Sequence, residues 1–261
     1  MAARAIWKGR IRFGSADVPV KLYSAVQDRS VHFRLLDAKR KEPVKQRMID
    51  PATGDVVDYG EVRRAFPVEE GELVVLDEDE LASLEPEPSR DIEITRFVPS
   101  EQITHQWYDR PYYLGPDGQD ESYFALAAAL RKRPREGVAR WVMRKKEYVG
   151  ALRAEGDYLV LMTLRNAGEV VPASALQPPG GRALDQRELK MARQLISTME
   201  DDLDIAAYRD EYRDRVLELI EAKAAGKVVK FPKAPTRKIE KSLTDVLERS
   251  LAEAEKRRAS A

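Results

Sequence analysis

The side chains in this sequence that are spaced for chemistry are cations, and the chemistry they suit is contact with phosphate. Lys8, Arg10 and Arg12 fall on alternate positions of the stretch IWKGRIRF at 6–13. Arg29, Arg34, Lys39, Arg40, Lys41, Lys45 and Arg47 follow, with only Asp37 and Glu42 among the last six. A third group, Arg140, Arg144, Lys145 and Lys146, lies in GVARWVMRKKEYVGALR at 137–153. Guanidinium and ammonium groups that meet phosphates position a protein on a nucleic acid without reading its sequence. The candidate residues for phosphate contact are therefore Lys8, Arg10, Arg12, Arg34, Lys39, Arg40, Lys45, Arg47, Arg140, Arg144 and Lys145.

The formal net charge is zero, from 45 basic and 45 acidic residues, but the charge is segregated. Residues 1–49 hold 12 Lys/Arg against 4 Asp/Glu, and residues 50–130 hold 5 against 20. Residues 131–153 hold 9 against 2, residues 154–221 hold 8 against 14, and residues 222–261 hold 11 against 5. Local potential rather than total charge steers a polyanion, so a neutral chain can offer it a basic surface.

Other chemistries find little support. There are two histidines, His32 and His105, no cysteine, and no metal-ligand spacing. Phosphate-binding glycine loops and nucleophile elbows are absent from the sequence. The acid-rich stretches 69–80 and 200–204 are explained by helix starts and solvated loops. No enzyme activity, cofactor or metal is expected. No apolar run approaches the length of a membrane span. The N-terminal residues lack an apolar signal core, and the absence of cysteine suits a reducing cytoplasm.

Several elements must position these cations. Residues 6–13 read as a half-buried strand with Trp7, Gly9, Ile11 and Phe13 inward. Val18, Val20 and Leu22 continue it as a hairpin or as consecutive barrel strands. Residues 29–64 are interrupted by Glu42-Pro43 and Asp50-Pro51-Ala52-Thr53-Gly54. That stretch reads as a projecting arm with a basic limb at 29–47 and an acidic return at 50–61. Taken alone, it is also what a solvated charged loop looks like. Leu73–Leu76 reads as a short buried strand, Asp77 with Glu80 as a capping box, 91–98 and 112–114 as strands, and 121–132 as a helix. Residues 138–164 read as a central hairpin whose second strand, 157–164, is buried on both faces.

Pro178-Pro179-Gly180-Gly181 marks a boundary between a strand-rich part and a helical part. Asp185 with Glu188 opens a helix with Leu189, Ala192, Leu195, Ile196 and Met199 on its apolar face. A second helix is expected from about 205, carrying Tyr208, Tyr212, Val216, Leu219 and Ile220, with Gly226 as its C-cap. Residues 227–241 read as a basic linker. Ser242-x-x-Asp245 then opens a terminal amphipathic helix whose Leu243, Val246, Leu247 and Leu251 share a face. That helix reads as a docking segment for a partner, the alternative being a helix folded back on its own domain. The fold class is thus α+β: a strand-rich core at 1–177 with its arm at about 29–64, then helices at 182–226 and 242–261.

Residues from about 4 to 226, together with the terminal helix, carry a resemblance to the bacterial Ku proteins. They include Arg4-Ala-Ile-Trp-Lys-Gly, Ile11-Arg-Phe-Gly, Val18-Pro-Val-x-Leu-Tyr23 and His32-Phe33-x-Leu35-Leu36. Further on come Val74-Val75-Leu76-x-x-x-Glu80-Leu81, Phe97-Val98-Pro99, Arg144-Lys-Lys-Glu-Tyr148 and Glu188-Leu-Lys-Met-Ala192. Tyr208-x-Asp-Glu-Tyr-Arg213, followed by Leu219-Ile220-x-x-Lys223, completes the set. The resemblance implies a β-barrel core at 1–177 with a long projecting arm, in a ring-shaped homodimer that threads double-stranded DNA ends without sequence preference in non-homologous end joining. It makes the phosphate-contact candidates above DNA-binding residues. It also implies a C-terminal segment that recruits an ATP-dependent DNA ligase, and a cytoplasmic, nucleoid-associated protein. Leu195, Ile196, Tyr208, Tyr212 and Leu219 are then candidates for dimerisation, and Leu243, Val246, Leu247 and Leu251 for the ligase partner. Two other classes stay open on residues alone. One is a sequence-specific nucleic-acid-binding regulator, which needs a recognition helix or stacking aromatics. The other is an enzyme with an acidic metal site around Asp77 and Asp79.

Overall fold

Alternation of apolar and charged residues builds the barrel. In the computed structural model, β1 (Trp7–Phe13) turns into β2 (Ala16–Ser24) with Ile11 opposite Val18 and Gly9 opposite Val20. The structure describes residues 4–69, 71–133, 135–176, 180, 185–227 and 243–259. It forms two compact units, residues 1–29 with 33–175, and residues 30–32 with 176–261.

The first unit is organised by a closed seven-stranded barrel. Its other strands are β7 (Asp91–Pro99), β8 (Tyr108–Pro116), β9 (Arg135–Met143), β10 (Lys146–Glu155) and β11 (Tyr158–Leu164). The order is β1-β2-β8-β11-β10-β9-β7, and a parallel pairing of Ile11 with Ile92 closes it. Inward residues of every strand meet in one core, among them Ile11, Leu22, Ile92, Leu114, Trp141, Leu152 and Leu161. The helix α2 (Asp120–Lys132) adds Tyr123, Leu126, Ala127 and Leu130 to it. Trp141 stacks on Tyr148 at 5.4 Å, across β9 and β10. Gly150 makes room for the indole, since a Cβ there would sit 2.6 Å from its ring.

Several expectations hold here. The strand at 6–13, the hairpin after it, and the double burial of Leu159, Val160 and Leu161 are all present. Others change. The stretch read as one central hairpin is three strands, because the basic turn at 144–145 reverses the chain before β10. The strand around 112–114 is nine residues long. In α2 the buried ring is Tyr123, whose hydroxyl donates to Leu114 O and accepts from Leu159 N, while Phe124 faces out.

Between β2 and β7 the chain leaves the barrel. It forms two small hairpins, β3 (Met48–Ile49) with β4 (Val56–Val57), and β5 (Arg64–Glu69) with β6 (Glu72–Leu76). The helix α1 (Glu78–Ser83) follows, started by the Asp77–Glu80 capping box. The run Leu73–Leu76 is not a buried strand: Leu73 is 66% exposed, and Val74 and Val75 are exposed too. An apolar run cannot by itself distinguish a strand inside a core from one whose faces meet no other part of its own chain.

The second unit is helical. In α3 (Gln186–Thr198), Asp185 accepts from Glu188 N at 2.8 Å and the Glu188 side chain accepts from Asp185 N at 3.1 Å. The next helix, α4 (Glu211–Ala224), begins later than expected: residues 205–207 form a single tight turn, and Asp210 caps the helix. Gly226 has φ of 70°, the left-handed geometry of a helix stop. The terminal helix α5 (Leu243–Ala259) packs on α3, with Arg187 2.7 Å from Glu248. The fold-back alternative is therefore the arrangement seen. Ser242 and most of the linker 227–241 lie outside the described residues, as do Pro178, Pro179 and Gly181 of the boundary.

Candidate nucleic-acid interface

The basic arm owes its shape to backbone hydrogen bonds that occupy its acid. The Asp37 carboxylate accepts from Lys39 N at 3.0 Å and Arg40 N at 2.7 Å, and Lys41 N donates to Asp37 O at 2.8 Å. Leu36 and Pro43 bridge beneath. The result is a tight turn with Lys39, Arg40 and Lys41 at its tip, Lys41 in the left-handed region at φ of 59°. Asp37 is thus engaged with main chain rather than with the cations around it. Arg34, Lys39, Arg40, Lys45 and Arg47 are all exposed, and none forms an ion pair among the described residues.

The strand cations differ. Lys8 lies 3.0 Å from Asp117, Arg10 2.6 Å from Asp17, and Arg12 3.3 Å from Asp91. The hydrogen bond from Arg10 holds the Asp17 carboxyl below its ordinary range and raises Arg10. The Asp117 carboxyl is held low by Lys21 first and Lys8 second. The outer face of β1, read from sequence as wholly cationic, is therefore a row of ion pairs. Its acids come from β2, from the start of β7 and from the loop after β8, which no local pattern brings together. Exposed pairs of this kind are weak and exchange readily with other anions.

A second cationic point is the β9–β10 turn. Arg144 and Lys145 both have positive φ, 52° and 64°, in a two-residue reversal between the paired Met143 and Lys146. Asn and Gly favour such a turn, whereas long side chains are strained in it. Lys145 reaches Glu85 at 3.0 Å, and Arg140 is 3.8 Å from Glu147. Arg144 has no ion pair among the described residues.

The turn and the start of β1 line one open groove of about 870 Å3, bringing Lys8, Arg144 and Lys145 together with Arg90. Arg140 lies instead in a groove of about 540 Å3 with Arg96 and Trp107. Arg90 and Arg96 were not singled out from sequence: Arg90 stands beside Asp91, and only the tertiary fold brings Arg90 to Arg144 and Arg96 to Arg140. The acids Asp77 and Asp79 belong to the start of α1, and no cluster of three or more potential metal ligands occurs among the described residues.

In the helical unit, Ile196, Tyr208 and Tyr212 are exposed, the last at 74%, while Leu195 and Leu219 are half-buried. Val246, Leu247 and Leu251 are half-buried in α5. The side chain of Leu243 lies outside the described residues.

Comparison with known proteins bears directly on this geometry. The Ku70/Ku80 beta-barrel domain matches residues 12–191, which include the barrel from the last two residues of β1 onward and half of α3. The chain belongs to the Ku family. Among its relatives, a non-homologous end joining protein Ku 2 of Geotalea uraniireducens is 37% identical over 229 residues, covering 88% of this chain and 89% of that one. The corresponding protein of Coxiella burnetii is 32% identical over 265 residues, covering 98% and 97%. That of Mycolicibacterium smegmatis is 34% identical over 234 residues, covering 85% and 72%. In this Ku chain, then, the α4 and α5 helices lie beyond the matched domain, whereas the arm and both basic grooves lie within it or at its edge. No helix among the described residues is long and apolar enough to cross a membrane.

Proposed function

We propose that the protein binds double-stranded DNA ends in non-homologous end joining, as a homodimer whose two arms close a ring around the duplex. It acts without catalysis and without a cofactor. Binding is independent of sequence, because the groups on offer suit phosphates rather than base edges. Its place is the cytoplasm, at the nucleoid.

The observation that carries this reading is the arm tip. Lys39, Arg40 and Lys41 project from a turn whose own acid is occupied, and no acid among the described residues neutralises them. Arg144 and Lys145 support it, since two long cations occupy backbone positions that disfavour them. The homodimer is supported by the β5–β6 hairpin. Phe66, Val68, Leu73, Val74 and Val75 are exposed on it, and a lone two-stranded hairpin is marginal in water. A second copy is the surface it suits, with Leu195, Ile196, Tyr208, Tyr212 and Leu219 adding to the interface. For the ligase, α5 is the proposed contact, and Leu243, Val246, Leu247 and Leu251 its anchors.

The test compares a linear duplex with the same DNA closed into a circle. End-threading predicts retention on the linear form and little on the circle, in moderate salt. Equal affinity for both would remove the ring. Strong dependence on one base sequence would favour a regulator instead.

A further inference from the structure

A groove lies between α2 and the ends of β1 and β7, apart from the cations discussed above. Phe13 and Phe97 form one wall, with ring centroids 5.9 Å apart and planes at 88°. Ala125 and Ala129 of α2 form the other, and the buried Leu126 and Leu130 lie between them. Its volume is about 600 Å3. Gly137 keeps the first wall in place. It pairs with Phe97 across β7 and β9, and a Cβ there would come within 3.0 Å of the Phe97 ring and of Ile94. On α2, small side chains one turn apart leave a channel where longer ones would fill it.

The rim is charged in one sense. Arg133 and Arg135 line the groove, exposed, and neither has an ion pair among the described residues. Their neighbour Arg131 is engaged with Asp157 at 2.6 Å. Apart from Ser122, the remaining lining is apolar, so it offers almost nothing to the edge of a nucleobase. An apolar channel with two free guanidiniums suits a polypeptide that carries apolar anchors beside carboxylates.

We propose that this groove docks a short segment of another protein, with two or three apolar anchors three or four residues apart and Asp or Glu beside them. The distance along α2 from Ala125 to Arg133 is about 12 Å, enough for two turns of such a segment. A second copy of this chain is the less suited occupant, because the exposed apolar surface that fits self-association is on the β5–β6 hairpin. The site works without DNA, so it stands or falls independently of end binding.

The test uses the full-length protein and a displayed library of random 12-residue peptides. Selection on the wild type, with counter-selection on Ala129→Leu, is expected to enrich apolar-anchored acidic sequences. The best enriched peptide, made synthetically with a fluorophore, should bind in an anisotropy titration and lose at least tenfold in affinity against Arg133→Glu/Arg135→Glu. Both variants change exposed residues, and their circular dichroism and linear-duplex binding should match wild type. A selection that does not discriminate Ala129→Leu overturns the proposal, as does a basic consensus. So does a change of oligomeric state in Ala129→Leu by sedimentation, which would make the groove a self-interface. Loss of oligothymidylate binding in that variant would make it a nucleic-acid site.

Discussion

At the scale of single residues, the cations divide by whether an acid already holds them. Replacing Lys39, Arg40 and Lys41 together by Glu removes charges that have no counter-ion among the described residues. The slope of log affinity for a linear duplex against log salt should then shallow by about 1 to 3, since each phosphate contact contributes about 0.9. An unchanged slope would return the tip to the status of a solvated loop. Arg10 behaves differently, because its partner Asp17 is held below its ordinary range by their hydrogen bond. A carboxyl depressed in the folded state stabilises the fold above its unfolded value, about 3.9, and that contribution is lost as pH falls through the folded value. Carbon-detected NMR of Asp17 should therefore give a midpoint below 3.9, and Arg10→Gln should move it up. Tyr108 offers a third case. Its hydroxyl donates to the buried Glu136 at 2.8 Å, and burial, followed by that bond, pushes the phenol up to about 12. Stability from this group is present below pH 10 and declines as pH rises toward 12. Tyr108→Phe leaves Glu136 without that donor and should cost about 1–3 kcal/mol, read as a lower Tm.

Elements were legible in the sequence where one periodicity served one surface. β1 alternates because one face meets the core and the other meets water, so Ile11 and its neighbours announced both faces. The capping boxes at Asp77 and Asp185 were legible because the residues that make them are three apart. The β5–β6 hairpin was not, since an apolar run reads alike whether a core or a partner covers it. The partners of Lys8, Arg10 and Arg12 were hidden for another reason: Asp17 arrives by the β1–β2 pairing, Asp117 by that of β2 with β8, and Asp91 only when β1 meets β7. The hairpin yields a prediction at its own scale. Leu73→Asp with Val75→Asp changes two exposed side chains, so the melting of the isolated barrel should barely move. The dimer proposed above should dissociate, visible as a fall in sedimentation coefficient at micromolar concentration. A dimer that persists would move the interface to the helical residues Ile196, Tyr208 and Tyr212.

At the scale of the molecule, a chain of zero net charge can hold a polyanion because its charge is arranged in blocks, which composition conceals and position along the chain reveals. The same arrangement bears on the C-terminal end. The helix α5 sits on α3, pinned by Arg187 and Glu248, so docking on α3 and recruitment of a ligase draw on one helix. Half-buried Val246, Leu247 and Leu251 cannot at once face α3 and a partner. Two variants separate the consequences. Deleting residues 237–261 removes the proposed ligase contact but none of the proposed phosphate contacts, so linear-duplex retention should stay near wild type while ligase stimulation disappears. Arg187→Glu keeps the helix and sets like charges against each other where the pair was. Stimulation should then be retained or increased, and amide exchange in α5 should quicken. If the deletion leaves stimulation intact, the ligase contact lies on the barrel unit. If Arg187→Glu abolishes stimulation as the deletion does, the partner reads α3 and α5 as one surface rather than α5 alone.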